Sequence, residues 1–179
     1  MRPRRFRGGI VWMVVLFMLL IWPSIQVYNL FSPKAEASDP LKMLYEVAQF
    51  QTNLLKGSLQ EAARYDSTEP LQKLKLVAYS AAFAHERLVR AAGKKQLPEL
   101  PSLNKVVETI TLMQLNGDRP LTDSEKEMIS MSAEAMNRLY DSYALVYSSS
   151  GGWVTSKREE LVSADKDLKE VLESNFTPK

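Results

Sequence analysis

The stretch Leu71–Gly93, LQKLKLVAYSAAFAHERLVRAAG, decides the fold. Leu71, Leu74, Val77, Ala78, Ala81, Ala84, Leu88 and Ala91 recur in steps of three and four, the period of one helix face. Ser67 or Thr68 is placed to cap this helix, Pro70 lies just inside its start, and Gly93 ends it. Between Leu74 and Ala84 only Lys75 and Ser80 are polar, which predicts a central helix covered on most sides. Its alanines would let neighbouring helices approach closely.

Working outward, every flanking segment repeats the same period. Upstream, Asp39 caps a helix with Pro40 in its first turn, and Leu41, Leu44, Ala48, Leu55, Leu59 and Ala62 form its stripe up to a stop near Tyr65-Asp66. Downstream, residues 94–101 (KKQLPELP) interrupt helix with Pro98 and Pro101. Ser102 then starts a shorter helix carrying Leu103, Val106, Val107, Ile110 and Met113, stopped by Asn116-Gly117. Thr122 and Glu125 make a capping box for a fourth helix through about Ser148, with Met128, Met136, Leu139, Tyr140, Tyr143 and Tyr147. Residues 148–152 (SSSGG) read as a flexible run. Ser156 and Glu159 suggest a second capping box, ahead of a fifth helix with Leu161, Ala164, Leu168, Val171 and Leu172. No segment alternates with period two, so the class is all-α: an up-and-down bundle of four to five helices with short connections. Roughly 140 residues bury about 70% of their unfolded surface, enough to fold without disulfides or metal.

Ahead of the bundle the composition changes abruptly. Of 23 Lys/Arg and 21 Asp/Glu in 179 residues, Arg2, Arg4, Arg5 and Arg7 fall in the first nine positions, with no acid among them. Residues 10–31 carry no charge, and Ile10–Trp22 is wholly apolar. A spanning helix needs about 20 residues, which Gly8–Tyr28 can supply, with Trp12 on one side and Trp22 and Tyr28 on the other as interfacial belts. Four arginines before the span place the N-terminus inside and the body outside. The chain divides into a cytoplasmic Arg-rich head (1–9), a transmembrane signal anchor (10–31), a linker (32–38) and an extracytoplasmic bundle (39–179). The competing reading is a secretory signal peptide cut after the small-x-small pattern Ala35-Glu36-Ala37. That pattern ends 14 residues beyond Pro23, far from the membrane exit, so the uncleaved anchor is preferred.

Chemistry is narrowed by what is missing. The chain holds no cysteine, which excludes disulfides, thiolate metal sites and cysteine nucleophiles, and one histidine cannot build a multi-histidine metal cage. That histidine, His85, sits at the margin of an apolar stripe and reads as a partly exposed boundary residue. Position 89 is valine, so no H-E-x-x-H zinc motif forms. The acids Asp123, Glu125, Glu127, Glu159, Glu160, Asp165 and Asp167 occupy helix starts or polar faces and read as caps or solvated side chains. There is no glycine-rich phosphate loop and no G-x-S-x-G elbow, so no catalytic, cofactor or metal residue is assigned and the expected class is non-enzymatic. Without a Lys/Arg stripe interleaved with aromatics, nucleic acid is not the expected partner.

Tyr140, Tyr143 and Tyr147, at i, i+3 and i+7, with Trp153 nearby, form the candidate surface for a partner or a small apolar ligand. The function expected is that of an interaction, scaffold or assembly factor of a bacterial cell envelope. It would meet the bilayer through residues 10–31 and a protein partner through the bundle. The alternatives are a ligand-sensing bundle with a tyrosine-lined pocket, or a secreted protein released near Ala37.

Overall fold

In the computed structural model, residues 40–148 and 151–174 are described. The arginine head, the apolar stretch with Trp12, Trp22 and Tyr28, the Ala35/Ala37 pattern and the Asp39 cap all lie outside them. Among the described residues there are five helices: α1 (Pro40–Ala62), α2 (Leu71–Ala92), α3 (Pro101–Gln114), α4 (Asp123–Ala144) and α5 (Arg158–Ser174). A two-residue antiparallel pairing of β1 (Tyr147–Ser148) with β2 (Gly152–Trp153), then a 3-10 turn at Thr155–Lys157, joins α4 to α5. The class is all-α, and the architecture is a helical bundle.

Periodicity explains why these segments are helical and how they pack. In α1 the buried positions are Tyr45, Ala48, Thr52, Leu55, Leu59 and Ala62, in alternating steps of three and four, so one face turns inward. Leu161, Ala164, Asp165, Leu168 and Leu172 do the same for α5, which packs on both α4 and α3. The heptad-spaced Leu161 and Leu168 are spent inside the bundle. Hydrogen bonds and ring contacts set the pair directions. Advancing along α1 from Tyr45 to Lys56 to Gln60 meets Tyr143, Tyr140 and Asn137 in descending order, so α1 and α4 are antiparallel. Ser102 meets Asp165, and further along Ile110 and Met113 share one small gap with Leu172, so α3 and α5 run parallel. The chain from Leu41 onward forms one unit whose core closes on residues between Tyr45 and Leu172. That unit holds what it needs to fold without the residues that precede it.

Several local expectations are corrected. The central helix α2 is not covered on most sides: Leu76 and Tyr79 are each 61% exposed and Phe83 46%. Ala91, expected in its stripe, is exposed, whereas Ala82 and Val89 are buried. Neither Ser67 nor Thr68 caps this helix, whose first residue follows Pro70 with no side-chain cap. Thr68 instead fastens two loops. Its amide donates to the Arg119 carbonyl (2.9 Å), its hydroxyl donates to the Gly117 carbonyl (3.0 Å), and Arg119 N–H donates back to that hydroxyl (3.1 Å). Leu121 N–H completes the strap on the Asp66 carbonyl at 2.9 Å.

Helix α4 ends at Ala144, short of Ser148, because Tyr147 pairs with Trp153 as extended chain. The glycines expected to make a flexible run make a turn, with Gly151 at φ +82° and its N–H bonded to the Ser148 carbonyl. Ser156 falls inside the 3-10 turn, two residues before α5 rather than directly ahead of its first residue, so the second capping box lacks its geometry. The first forms in full: Thr122 Oγ1 accepts from Glu125 N–H, and Glu125 accepts from Thr122 N–H at 2.9 Å. Arg119 clamps the same carboxylate through two bonds of 2.8 and 2.6 Å. Clamp and cap together hold Glu125 down at about 2 against the ordinary carboxylate value.

Candidate functional site

The tyrosines predicted as one stripe are divided by the end of α4. Tyr143 is fully buried in the helix, Tyr147 is buried after it, and Tyr140 stands half-buried with the Lys56 ammonium 4.1 Å over its ring. Tyr143 and Tyr147 join Trp153 and a residue the sequence reading passed over, Tyr45 of α1. The Tyr45 ring stacks on Tyr143 at 5.9 Å and on Tyr147 at 5.0 Å. Trp153 closes the nest edge-on to Tyr147 at 5.1 Å and to Tyr45 at 6.2 Å. Offset stacks and edge-to-face contacts at these separations are attractive beyond the area they bury. The signal for Tyr45 was present in the sequence, since it stands three residues before Ala48 on the buried face of α1. Its hydroxyl kept it out of the apolar stripe.

A line of hydrogen bonds runs from this nest through the protein. Tyr45 O–H donates to the Tyr143 carbonyl at 3.0 Å. The ring of Tyr143 reaches His85, whose Nδ1 is 3.1 Å from the tyrosine hydroxyl and whose Nε2 is 3.0 Å from the Pro98 carbonyl. A carbonyl can only accept, so Nε2 carries the proton, Nδ1 offers its lone pair, and Tyr143 O–H donates to it. His85 is 3% exposed and not the boundary residue expected. Burial pushes its pKa down to about 4, against a weaker opposing effect of the Pro98 bond. Burial likewise raises Tyr45 to about 12 and moves Tyr143 further upward. The arrangement fixes a neutral imidazole between α2, α4 and the loop before α3, with both nitrogens committed. It ties elements together and offers no free base.

A second buried polar pair lies between α5 and α3. Asp165, read from sequence as solvated or capping its own helix, is 5% exposed and caps another. Ser102 N–H donates to Asp165 Oδ1 at 3.1 Å, and Ser102 O–H donates to the same oxygen at 2.5 Å. Leu100 at the N-cap position of α3 provides no side-chain cap, so Asp165 satisfies one of the orphan amides across the bundle. Burial raises the Asp165 pKa, and the Ser102 bonds oppose the rise.

A cleft of about 680 Å³ opens beside His85, where α2 ends and α3 begins. Its charges are paired: Arg90 with Glu86, and Lys94 with Glu99 at 2.6 Å. None of the tyrosines lines it. Its carboxylates are neutralised by those cations, and the one imidazole on its wall points its nitrogens at Pro98 and Tyr143. Among the described residues no cluster of three histidines or acids could hold a metal ion, and no helix is long and apolar enough to cross a membrane.

The fold and these contacts define a class, an all-α bundle tied by buried polar bridges. Comparison with family models, curated proteins and solved structures finds no match.

Proposed function

We propose that the protein is a single-pass membrane protein whose helical bundle stands outside the membrane as an interaction or assembly factor of a bacterial envelope. The observation that carries this reading is the partition of charge. Four arginines precede 22 uncharged residues (10–31), and the bundle follows with roughly balanced charge. The bundle adds indirect support, because its buried histidine, tyrosine and aspartate are committed to holding helices together rather than aimed at a shared cleft.

The absence of native cysteine makes the topology directly testable. With Lys95→Cys, an exposed loop position, a membrane-impermeant maleimide is expected to label intact cells. Gly8→Cys is expected to react only after permeabilisation. The reverse pattern, or recovery of the full chain in an alkaline carbonate wash, overturns the anchor. A mature N-terminus at Ser38 by mass spectrometry would replace it with the secreted form. Crosslinking in intact membranes is expected to return one reproducible protein partner, and recovery of none overturns the scaffold role.

A further inference from the structure

The largest feature left unused is an apolar surface on the outward sides of α1 and α2. Val47, Phe50 and Leu54 of α1 are 52%, 58% and 41% exposed, and Leu76, Tyr79 and Phe83 of α2 face solvent to a similar degree. Each trio falls at helical spacing, so each helix shows solvent an apolar row rather than scattered exposure. The two rows meet at one end of the hairpin. The Lys73–Glu61 ion pair at 3.2 Å fixes the end of α1 beside the start of α2. Glu61 lies seven residues beyond Leu54 and Lys73 three before Leu76, so each partner of the pair is in phase with the exposed row of its own helix. Tyr79 and Phe83 stack at 6.4 Å, and the Arg87 guanidinium covers the Phe83 ring at 4.6 Å.

Charge selects the occupant. Helices α1 and α2 carry Lys42, Lys56, Lys73, Lys75, Arg87 and Arg90 against Glu46, Glu61 and Glu86; Lys42, Lys73 and Arg90 pair with those glutamates, Lys56 lies over Tyr140, and the surplus remains cationic, while the rest of the chain after Gly9 is acidic. A second copy would set this cationic hairpin against itself. An anionic surface would not, and aromatic rings flanked by Lys and Arg suit the headgroup boundary of a bilayer. The uncharged segment ends at residue 31 and α1 begins at Pro40, so the eight intervening residues reach at most about 28 Å. Tethering on that scale raises the effective concentration of the face at a bilayer, so modest intrinsic affinity is enough.

We propose that the Val47–Phe50–Leu54 and Leu76–Tyr79–Phe83 face of the α1–α2 hairpin docks on the surface of an anionic phospholipid bilayer. The tether argument rests on residues 10–31 being a membrane anchor, whereas the affinity of the face does not. The test uses the bundle (residues 40–179) and sedimentation with vesicles of phosphatidylcholine alone or with about 30% phosphatidylglycerol. The anionic vesicles are expected to bind at least tenfold better than the neutral ones, with binding weakening as salt rises. Phe50→Ser with Phe83→Ser is expected to lower binding at least tenfold, while circular dichroism shows the fold and melting temperature retained. Arg87→Gln with Arg90→Gln, which leaves the apolar residues in place, is expected to lose the preference for anionic lipid.

Equal binding to both vesicles, or unchanged binding by the Phe variants, overturns the proposal. So does light scattering that shows a dimer of the bundle abolished by those variants, since the occupant is then a second copy. Carbonate extraction of the full chain reports on the anchor separately, so failure of the face and failure of the anchor give different results.

Discussion

Asp165→Ala removes the one oxygen that serves both Ser102 donors. Ser102 is fully buried, so its N–H and O–H would be left without water as well as without a partner. Each stranded donor costs about 1–3 kcal/mol, but deleting the carboxylate also removes the cost of burying its charge, which is what raises its pKa. The balance is a loss of about 2 kcal/mol, or roughly 6–8 °C in melting temperature for a unit of this size. Asp165→Asn is the informative control. The amide oxygen keeps an acceptor in place and carries no charge, so the variant is expected within about 1 kcal/mol of the natural protein. Urea unfolding of the bundle at pH 7, followed by far-ultraviolet circular dichroism, measures both. If the alanine and asparagine variants unfold at the same urea concentration, the cross-bundle cap is not what Asp165 contributes. A double variant with Ser102→Ala provides the coupling. Ser102→Ala deletes only the hydroxyl and leaves the residue 102 N–H in place, so the double variant should fall short of the sum of the two single losses by the one O–H bond they share.

The titratable groups make opposed predictions. His85 is the only histidine, so its imidazole proton resonance can be followed without assignment and should titrate near 4 rather than 6.5. A base with a depressed folded pKa binds fewer protons folded than unfolded. Its stabilising contribution is therefore full above pH 6.5 and lost between about 6.5 and 4, and His85→Gln should flatten stability over that interval. Glu125, an acid held down at about 2, contributes stability that is full above about 4.5 and lost as pH falls toward 2. Arg119→Ala should remove most of that slope and cost about 1 kcal/mol at neutral pH by urea unfolding. Asp165 runs the other way. Its raised pKa means it takes up protons more readily in the folded state, so Asp165→Asn should make acid unfolding begin at higher pH. A Cβ at Gly151 meets no atom within 4 Å, but the residue sits at φ +82°, so Gly151→Ala should cost about 1–2 kcal/mol of backbone strain and weaken the near-ultraviolet signal of Trp153.

What could be read from sequence, and what could not, separates by physical cause. Helix identity survived because burial of an amphipathic face leaves a mark at every third or fourth residue, and α1, α3 and α5 were legible from that mark alone. The Thr122–Glu125 box was legible because both partners are local in the chain. The corrections share the opposite property. Thr68, Tyr45, His85 and Asp165 each bond to a residue between 13 and 98 positions away, and no local pattern encodes such a partner. Polar atoms also biased the reading, since a hydroxyl or carboxylate was assigned to the surface even where the period put it in the core.

Tyr45, Thr52, His85, Ser102, Thr109, Ser132 and Asp165 all stand at buried positions of their helices, in phase with leucines and alanines. When period and polarity disagree, the period decides where the residue goes, and polarity then calls for a partner there, which Tyr45, Thr52, His85, Ser102 and Asp165 find and Ser132 Oγ does not. The converse error occurred on α2, where Leu76, Tyr79 and Phe83 break phase with the core stripe yet are apolar. Counting them as core made that helix central; following phase puts them outside. Out-of-phase apolar residues are thus the ones whose burial the bundle does not supply. Beside the excess of cations on the same two helices, they are what motivates the docking proposed for the α1–α2 surface.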